Sequence, residues 1–471
     1  MTARHLPQDA PFYDEWTRLR GALPRGRARA VDLAPALGLD VGTGADGGPR
    51  VLGTAGRPLP PVITVVGSKG KGTAACFASA ALHCAGLRVG TVTSPAFRTN
   101  AERVRRDGAA LDDSEYRELS HALAGALERM GPPSDGYLSP SGAYLMAGVA
   151  WLTGAVGAGT GPAPDGTVPD GARGVDVLVL EEGMGGARDE VSLFVPDLVA
   201  LTPVFGEHLG VLGDDVEQIA EELLGVVRPG TAGIRSARQS PPVHDALRRA
   251  LGRAGLPGGR AARLDDGLLG EADRATGLGL GSANAALGLA VAGDLLDARD
   301  HRPGPRALRA PDGALAVTGW PVACSDPSWR EEVLRRVPTL PGRMSVHPAS
   351  GDRTAVWVVD CAVDPVGVRA ALSRVERDHG GPSLVLACFP DGKDPRACYA
   401  ALPDRYRVVP VAAGTGHLGY RLPGAPAPLL PVDRALRGAW DTPGAVLCLG
   451  TVGFVAEVLD RLEADTRRWW V

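Results

Sequence analysis

Residues 67 to 73 read Gly67-Ser68-Lys69-Gly70-Lys71-Gly72-Thr73, and they stand between two very different segments. Before them, Pro61 to Val66 is an apolar, β-branched run of the kind that forms a buried strand. After them, Thr73 to Ala85 has the composition of a helix that Gly86 terminates, and Arg88 to Thr93 reads as a second strand. Strand, glycine-rich loop, helix and strand make a βαβ unit, and the parallel strands of such a unit commit this part of the chain to an α/β domain.

The same loop holds two of the three lysines in the chain; the third is Lys393, in Asp391-Gly392-Lys393-Asp394. The other 47 basic residues are arginine. A lysine that persists against such a bias points to a place where a compact ammonium is needed and a planar guanidinium will not serve, although three survivors can also cluster by chance. The glycines let backbone N–H groups close on phosphate oxygens, and the helix N-terminus adds its dipole. Lys71 supplies a point charge and the Thr73 hydroxyl a ligand for Mg²⁺. The spacing is shorter than the usual phosphate loop, with only Ser68 and Lys69 between Gly67 and Gly70. Lys393 has a plainer reading too, as a surface partner of Asp391 or Asp394.

A chain of 471 residues has room for two domains, each with its own core. The net charge of -4 gives no footprint for nucleic acid, and Arg103-Val104-Arg105-Arg106 reads as a solvated face. Seven scattered cysteines without a CxxC pair indicate neither a zinc site nor a disulfide framework. The first residues carry no apolar run that would make a signal peptide. No uninterrupted apolar stretch of about 20 residues predicts a membrane span. The expectation is a cytoplasmic protein without membrane or nucleic-acid partners, working as a monomer or with a protein partner.

Further strands are predicted at Val175 to Leu180 and Asp197 to Thr202, with helices at Val216 to Val227 and Gly281 to Leu296. A Gly, Pro and Ala-rich spacer is expected over 154–174, and 233–270 gives no clear pattern. After a weakly patterned stretch a second alternating series follows, with strands at Ala355 to Val359, Ser383 to Cys388 and Ala445 to Leu449. Helices are predicted at Val366 to Arg377 and Gly453 to Ala464. The predicted fold class is α/β. A phosphate-loop ATPase domain with a mainly parallel sheet spans 1–298, a linker 299–337, and a smaller Rossmann-like α/β domain 338–471.

The short loop is similar to that of the Mur ligase superfamily, and an ordered series of motifs resembles folylpolyglutamate synthase. Thr93-Ser94-Pro95 with Glu102-Arg103-Val104-Arg105-Arg106-Asp107-Gly108 resembles the family's folate-side loop. Glu181-Glu182-Gly183-Met184-Gly185-Gly186, with Asp189 after it, resembles Glu-x-Gly-Leu-Gly-Gly. Glu207-His208 stands for an Asp-His motif, and Asn284-Ala285-Ala286 for an Asn-Ala-Ala helix. Leu340-Pro341-Gly342-Arg343, Asp360 and Gly450-Thr451-Val452 continue the series. The resemblance implies an amide-forming ligase: ATP phosphorylates a carboxylic acid, an amino acid (glutamate by family default) attacks the acyl phosphate, and phosphate departs. By position, Lys71 and His208 are catalytic. Gly67, Ser68, Lys69, Gly70, Lys71, Gly72, Thr73, Asn284, Arg343 and Asp360 contact ATP, and Thr73, His208 and Glu181 hold Mg²⁺. Lys393 becomes a contact of the second domain near the cleft.

The pattern departs from the family at three places. Tyr144 aligns with a metal-binding Glu, Leu223 with a carbamylated lysine that helps hold a second Mg²⁺, and Val363-Asp364 with a His-Asn pair. Glu181, Glu182 or Asp189 could take over from the missing Glu. The departures leave open a nucleotide-binding pseudoenzyme or partner subunit, and a plain phosphate-loop kinase or ATPase is a third reading. The acid need not be folate.

Overall fold

The computed structural model describes residues 6–156, 174–256, 261–264, 266–276, 280–300, 327–337, 340–348, 355–414, 418–421 and 425–470. Most of the spacer and of the linker expected from sequence lie outside these residues, as does Cys324.

Helices α1 (Ala10–Leu19) and α2 (Arg27–Ala36) precede a small antiparallel sheet of β1 (Leu39–Thr43), β2 (Pro49–Thr54) and β3 (Arg57–Pro58). The main sheet begins with β4 (Val62–Val66), followed by α3 (Lys71–Cys84), β5 (Val89–Val92), β6 (Val104–Arg106) and β7 (Ala109–Ala110). Then come α4 (Asp113–Met130), α5 (Pro140–Leu152), β8 (Val177–Glu181), β9 (Leu198–Leu201) and α6 (Val216–Leu223). The series closes with β10 (Gly233–Ser236), α7 (Pro241–Arg253), β11 (Ala261–Arg263), α8 (Asp266–Thr276) and α9 (Leu280–Asp300). The strand order is β11-β10-β9-β4-β8-β5-β6-β7, parallel from β11 to β5 and antiparallel at the β6 and β7 edge.

Every residue of β4 is buried because both faces are covered: Val62 and Val66 enter one core, Ile63 and Val65 the other. Among its described residues the stretch 233–270, unreadable by pattern, holds β10, α7, β11 and the start of α8. Gln239-Ser240-Pro241-Pro242 looks like a loop, yet proline at the first helical positions is how α7 starts. Its buried Val243, Ala246, Leu247 and Ala250 keep helical spacing among exposed arginines.

Helix α10 (Pro327–Arg336) lies where the linker was expected, and Val333, Leu334 and Val337 share a core with α3 and α9. A second sheet follows, built from β12 (Ser345–Pro348), β13 (Ala355–Asp360), α11 (Pro365–His379), β14 (Pro382–Cys388) and α12 (Pro395–Ala400). It is completed by β15 (Val408–Ala412), β16 (Leu430–Pro431), α13 (Val432–Ala439), β17 (Gly444–Gly450) and α14 (Val452–Arg461). Its order is β12-β13-β17-β14-β15-β16, parallel except at β12. Trp357 and Val359 face one core and Val358 the other, so this sheet too is covered on both sides.

Beyond α14 the chain returns to the first sheet. Ala110 N–H donates to Arg467 O at 2.8 Å, Trp469 N–H donates to Gly108 O at 3.2 Å, and Trp470 is buried against Gly108. Among the described residues no single helix is long and apolar enough to cross a membrane, and the six described cysteines are free.

Candidate active site

The glycine-rich loop sits at the C-terminal end of β4, the edge where parallel sheets present their ligand sites. Gly67 has φ +137°, and a Cβ there would stand 2.1 Å from Thr202 Oγ1 and 2.8 Å from Thr202 O. Gly70 has φ +88° and lies so close to Asn284 that a Cβ would fall 2.1 Å from Nδ2. Both positions therefore require glycine. Ser68 hooks the loop to the segment after β9: its N–H donates to Pro203 O at 3.1 Å, and its hydroxyl bonds Phe205 O and N at 3.1 Å.

Asn284 reaches the loop because α9 packs tightly on α3 through small residues; a Cβ on Gly288 would lie 2.4 Å from Ala74 O. Its Oδ1 is buried and has no hydrogen-bond partner in the protein. A buried acceptor left open beside this glycine-rich loop fits a ligand that brings a donor.

Glu181 ends β8 and Glu182 follows it, beside the loop. Lys71 Nζ donates to Gly67 O at 2.8 Å and pairs with Glu182 Oε1 at 3.0 Å. Burial pulls the Lys71 ammonium down, but Glu182 and Glu181 more than offset it and the net shift is upward. Burial pushes Glu182 up to about 7 against the pull of Lys71, with Asp189 adding to the rise. Glu181 Oε2 accepts from Ser94 N–H at 3.1 Å, and burial raises this carboxyl as well.

The Glu182 shift has a sign that can be measured. Between its ordinary value of 4.5 and about 7 the folded state holds a proton that the unfolded chain releases. Its stabilising contribution is therefore complete below the unfolded value and is lost as pH rises through the folded one. Melting midpoints from roughly pH 5 to 8 should fall over that window in the wild type and lose this slope in Glu182→Gln. Gln removes the closer of the two carboxylates that support Lys71, so slopes are compared, not levels. Equal slopes would assign the titration to another group.

From the second sheet, Asp360 at the end of β13 accepts from Met344 N–H at 2.8 Å, and burial raises it against the pull of Arg343. Burial lowers the Arg343 guanidinium, but Cys361, Asp360 and Glu181 turn the net shift upward. Arg343 lies 5.5 Å over the Phe97 ring. Gly72, Thr73, Ser94, Glu181, Arg343 and Trp469 line one pocket between the sheets.

The third lysine joins this cleft. Lys393 does not pair with its neighbouring aspartates; its Nζ lies 2.5 Å from Glu207 Oε1. Lys69 lies 3.5 Å from Asp364 and 4.0 Å from the same Glu207 oxygen. All the lysine in the chain thus stands at one junction.

His208, expected as a catalytic residue and metal ligand, is an exposed turn residue at φ +60° and is not among the residues lining the pocket. Burial lowers its ring, Glu207 opposes this, and the three lysines add to the lowering. Among the described residues no group of three or more His, Cys, Asp or Glu side chains forms a site that could hold a metal ion. Thr73 and Glu181 share the pocket; His208 does not complete a protein-only cage with them.

No family model matches the chain. The dihydrofolate synthase/folylpolyglutamate synthase of Bacillus subtilis is 28% identical over 190 residues, which cover 40% of this chain and 40% of that protein. The chain thus spans less than half the length of this curated relative. The apo form of the L. casei folylpolyglutamate synthase superposes with a TM-score of 0.66 at 18% identity, over 96% of this chain and 100% of that one. The bifunctional folylpolyglutamate synthase/dihydrofolate synthase of Yersinia pestis, complexed with AMPPNP and Mn, gives 0.64 at 22% identity over 98% and 100%. The chain is thus similar to folylpolyglutamate synthases, in sequence over 40% of its length and in fold over nearly all of it.

Tyr144 and Leu223, the two positions where the resemblance implied metal ligands, are built into the core. Tyr144 is 1% exposed and stacks on Phe12 with centroids 3.9 Å apart. Its hydroxyl lies 2.7 Å from that of Tyr116, which donates to Asp9 at 2.5 Å. Arg103 covers the other side of the ring at 4.7 Å and reaches Ser94 Oγ at 2.9 Å. Leu223 is 1% exposed in the apolar core. Sequence reasoning missed the roles of Glu207 and Asp364 as lysine partners and of Trp469 as a pocket wall. The only advance signal was the lysines themselves and the paired tryptophans Trp469 and Trp470.

Proposed function

We propose that this chain is an ATP-dependent carboxylate–amine ligase that activates a carboxylic acid as its acyl phosphate and joins it to an amino acid. The observation that carries the reading is the pairing of a phosphate loop, with Lys71 at its exit, against Arg343 and Asp360 from the second sheet. A carboxylate is a poor acylating agent until its oxygen becomes a leaving group, and the transfer that achieves this needs charge neutralised at the phosphate. Lys71 and the loop N–H groups receive the phosphates, Asn284 with its open Oδ1 faces the loop, and Arg343 holds charge at the cleft. Thr73 and Glu181 fit one nucleotide-borne Mg²⁺, which characteristically takes one or two carboxylates and completes its shell with water and phosphate oxygens. That ion would supply Lewis-acid charge neutralisation.

The test is phosphate release from ATP with panels of carboxylic acids, folates included, and amino acids, glutamate included, with the amide identified by mass spectrometry. Release that requires both an acid and an amine is expected. Nucleotide binding with no such release across the panels would leave a pseudoenzyme, the outcome that Tyr144 and Leu223 favour.

A further inference from the structure

The acidic side chains around the loop are nearly all engaged. Glu182 pairs with Lys71, and Glu207 is clasped by Lys393 and Lys69. Asp364 faces Lys69 and caps α11 through the N–H groups of Val366 and Gly367 at 3.1 and 2.9 Å. Asp360 is held by Met344 N–H beside Arg343. Glu182 keeps one oxygen open, but a dication there would stand next to the Lys71 ammonium. Glu181 is different: the hydrogen bond it accepts comes from the Ser94 N–H, and it shares its pocket with Thr73.

Neither Tyr144, where the resemblance implies a metal-binding Glu, nor Leu223, where it implies a ligand of a second Mg²⁺, can hold an ion. Tyr144 is stacked in an aromatic core and Leu223 is packed among aliphatic side chains. At the junction beside the loop stand two ammonium groups. Lys69 comes from the loop and Lys393 from the second sheet, 186 residues beyond the carboxylate it meets. Each ammonium has three donors, so each can keep its carboxylate and still receive a phosphate oxygen.

We infer that the site takes one divalent cation with its nucleotide, at Thr73 and Glu181, and that Lys69 and Lys393 supply the charge a second cation would bring. The inference rests on the nucleotide-binding part of the proposed function and not on turnover. Lys69 spans the junction as it does because a point charge on a flexible stem can serve Glu207, Asp364 and a phosphate together.

The experiment counts Mn²⁺ by electron paramagnetic resonance on the wild-type chain saturated with a non-hydrolysable ATP analogue. One bound Mn²⁺ per chain is expected; two of similar affinity, or none, overturns the inference. Calorimetry on Lys69→Met and Lys393→Met, each checked by its melting curve, should show analogue binding weakened about tenfold or more at fixed Mn²⁺. Unchanged binding in both folded variants would remove the lysines from the account. A single Mn²⁺ without any amide product would leave this inference standing while the ligase reading fails.

Discussion

Lys71→Ala is expected to lower acid- and amine-dependent phosphate release by about a hundredfold to a thousandfold, the scale of losing one charge-stabilising group at a reacting centre. The same substitution should cost about 3 kcal/mol of stability, because it leaves Glu182 buried without its cation. The loss stays at the low end of the range for a broken buried pair, since Glu182 is already raised to about 7 and can take up a proton. The double variant Lys71→Ala, Glu182→Gln separates the two effects. Removing the second charge should return most of the stability and none of the turnover. Denaturant melts and phosphate release on the wild type and these two variants check this. A Lys71→Ala protein with wild-type release would remove the loop from the chemistry.

Gly67→Ala should be the most damaging of the loop substitutions. The methyl would press on Thr202 Oγ1 at 2.1 Å and on backbone oxygen at 2.8 Å, in a φ region that L residues rarely enter. Backbone strain of about 1–3 kcal/mol adds to that clash, so a loss above about 3 kcal/mol and of nucleotide binding is expected. Gly72→Ala is the control. It lies in α3, where its Cβ would meet Glu181 at an ordinary 3.6 Å, and helix propensity favours alanine by about 0.5–1 kcal/mol. Melting both proteins tests the contrast. Equal effects would mean that the loop tolerates side chains and is not held by its close approach to β9.

Much of the fold was legible because its signals are local. The β4 to β5 unit, the strands β8, β9, β13, β14 and β17, and the helices α3, α9, α11 and α14 follow from apolar runs, capping residues and glycine stops. Helix α10 was misread as linker because its polar, arginine-rich face hides Val333 and Leu334, whose burial depends on α3 and α9. Helices α7 and α8 escaped for a related reason, with few apolar residues and prolines or glycines at their margins. Within the site, the sequence marked Lys71 and the strand-end Glu181 and Glu182 separately, and their pairing came only from the fold. The exposed place of His208 could not be foreseen, because it depends on a turn at positive φ.

The amino-acid sequence by itself determined the glycine-rich loop between strand and helix, the two alternating α/β series and the scarcity of lysine, each a property of neighbouring residues or of composition. Only the tertiary structure decided what the lysines meet. Lys393 finds Glu207 across 186 residues and Lys69 finds Asp364 across 295, because the C-terminal edges of two separate sheets face one another. Periodicity reports which face of an element is buried. It carries no information about which charge another sheet will bring to that face, and the value of each charge is set by that partner and by the burial they share.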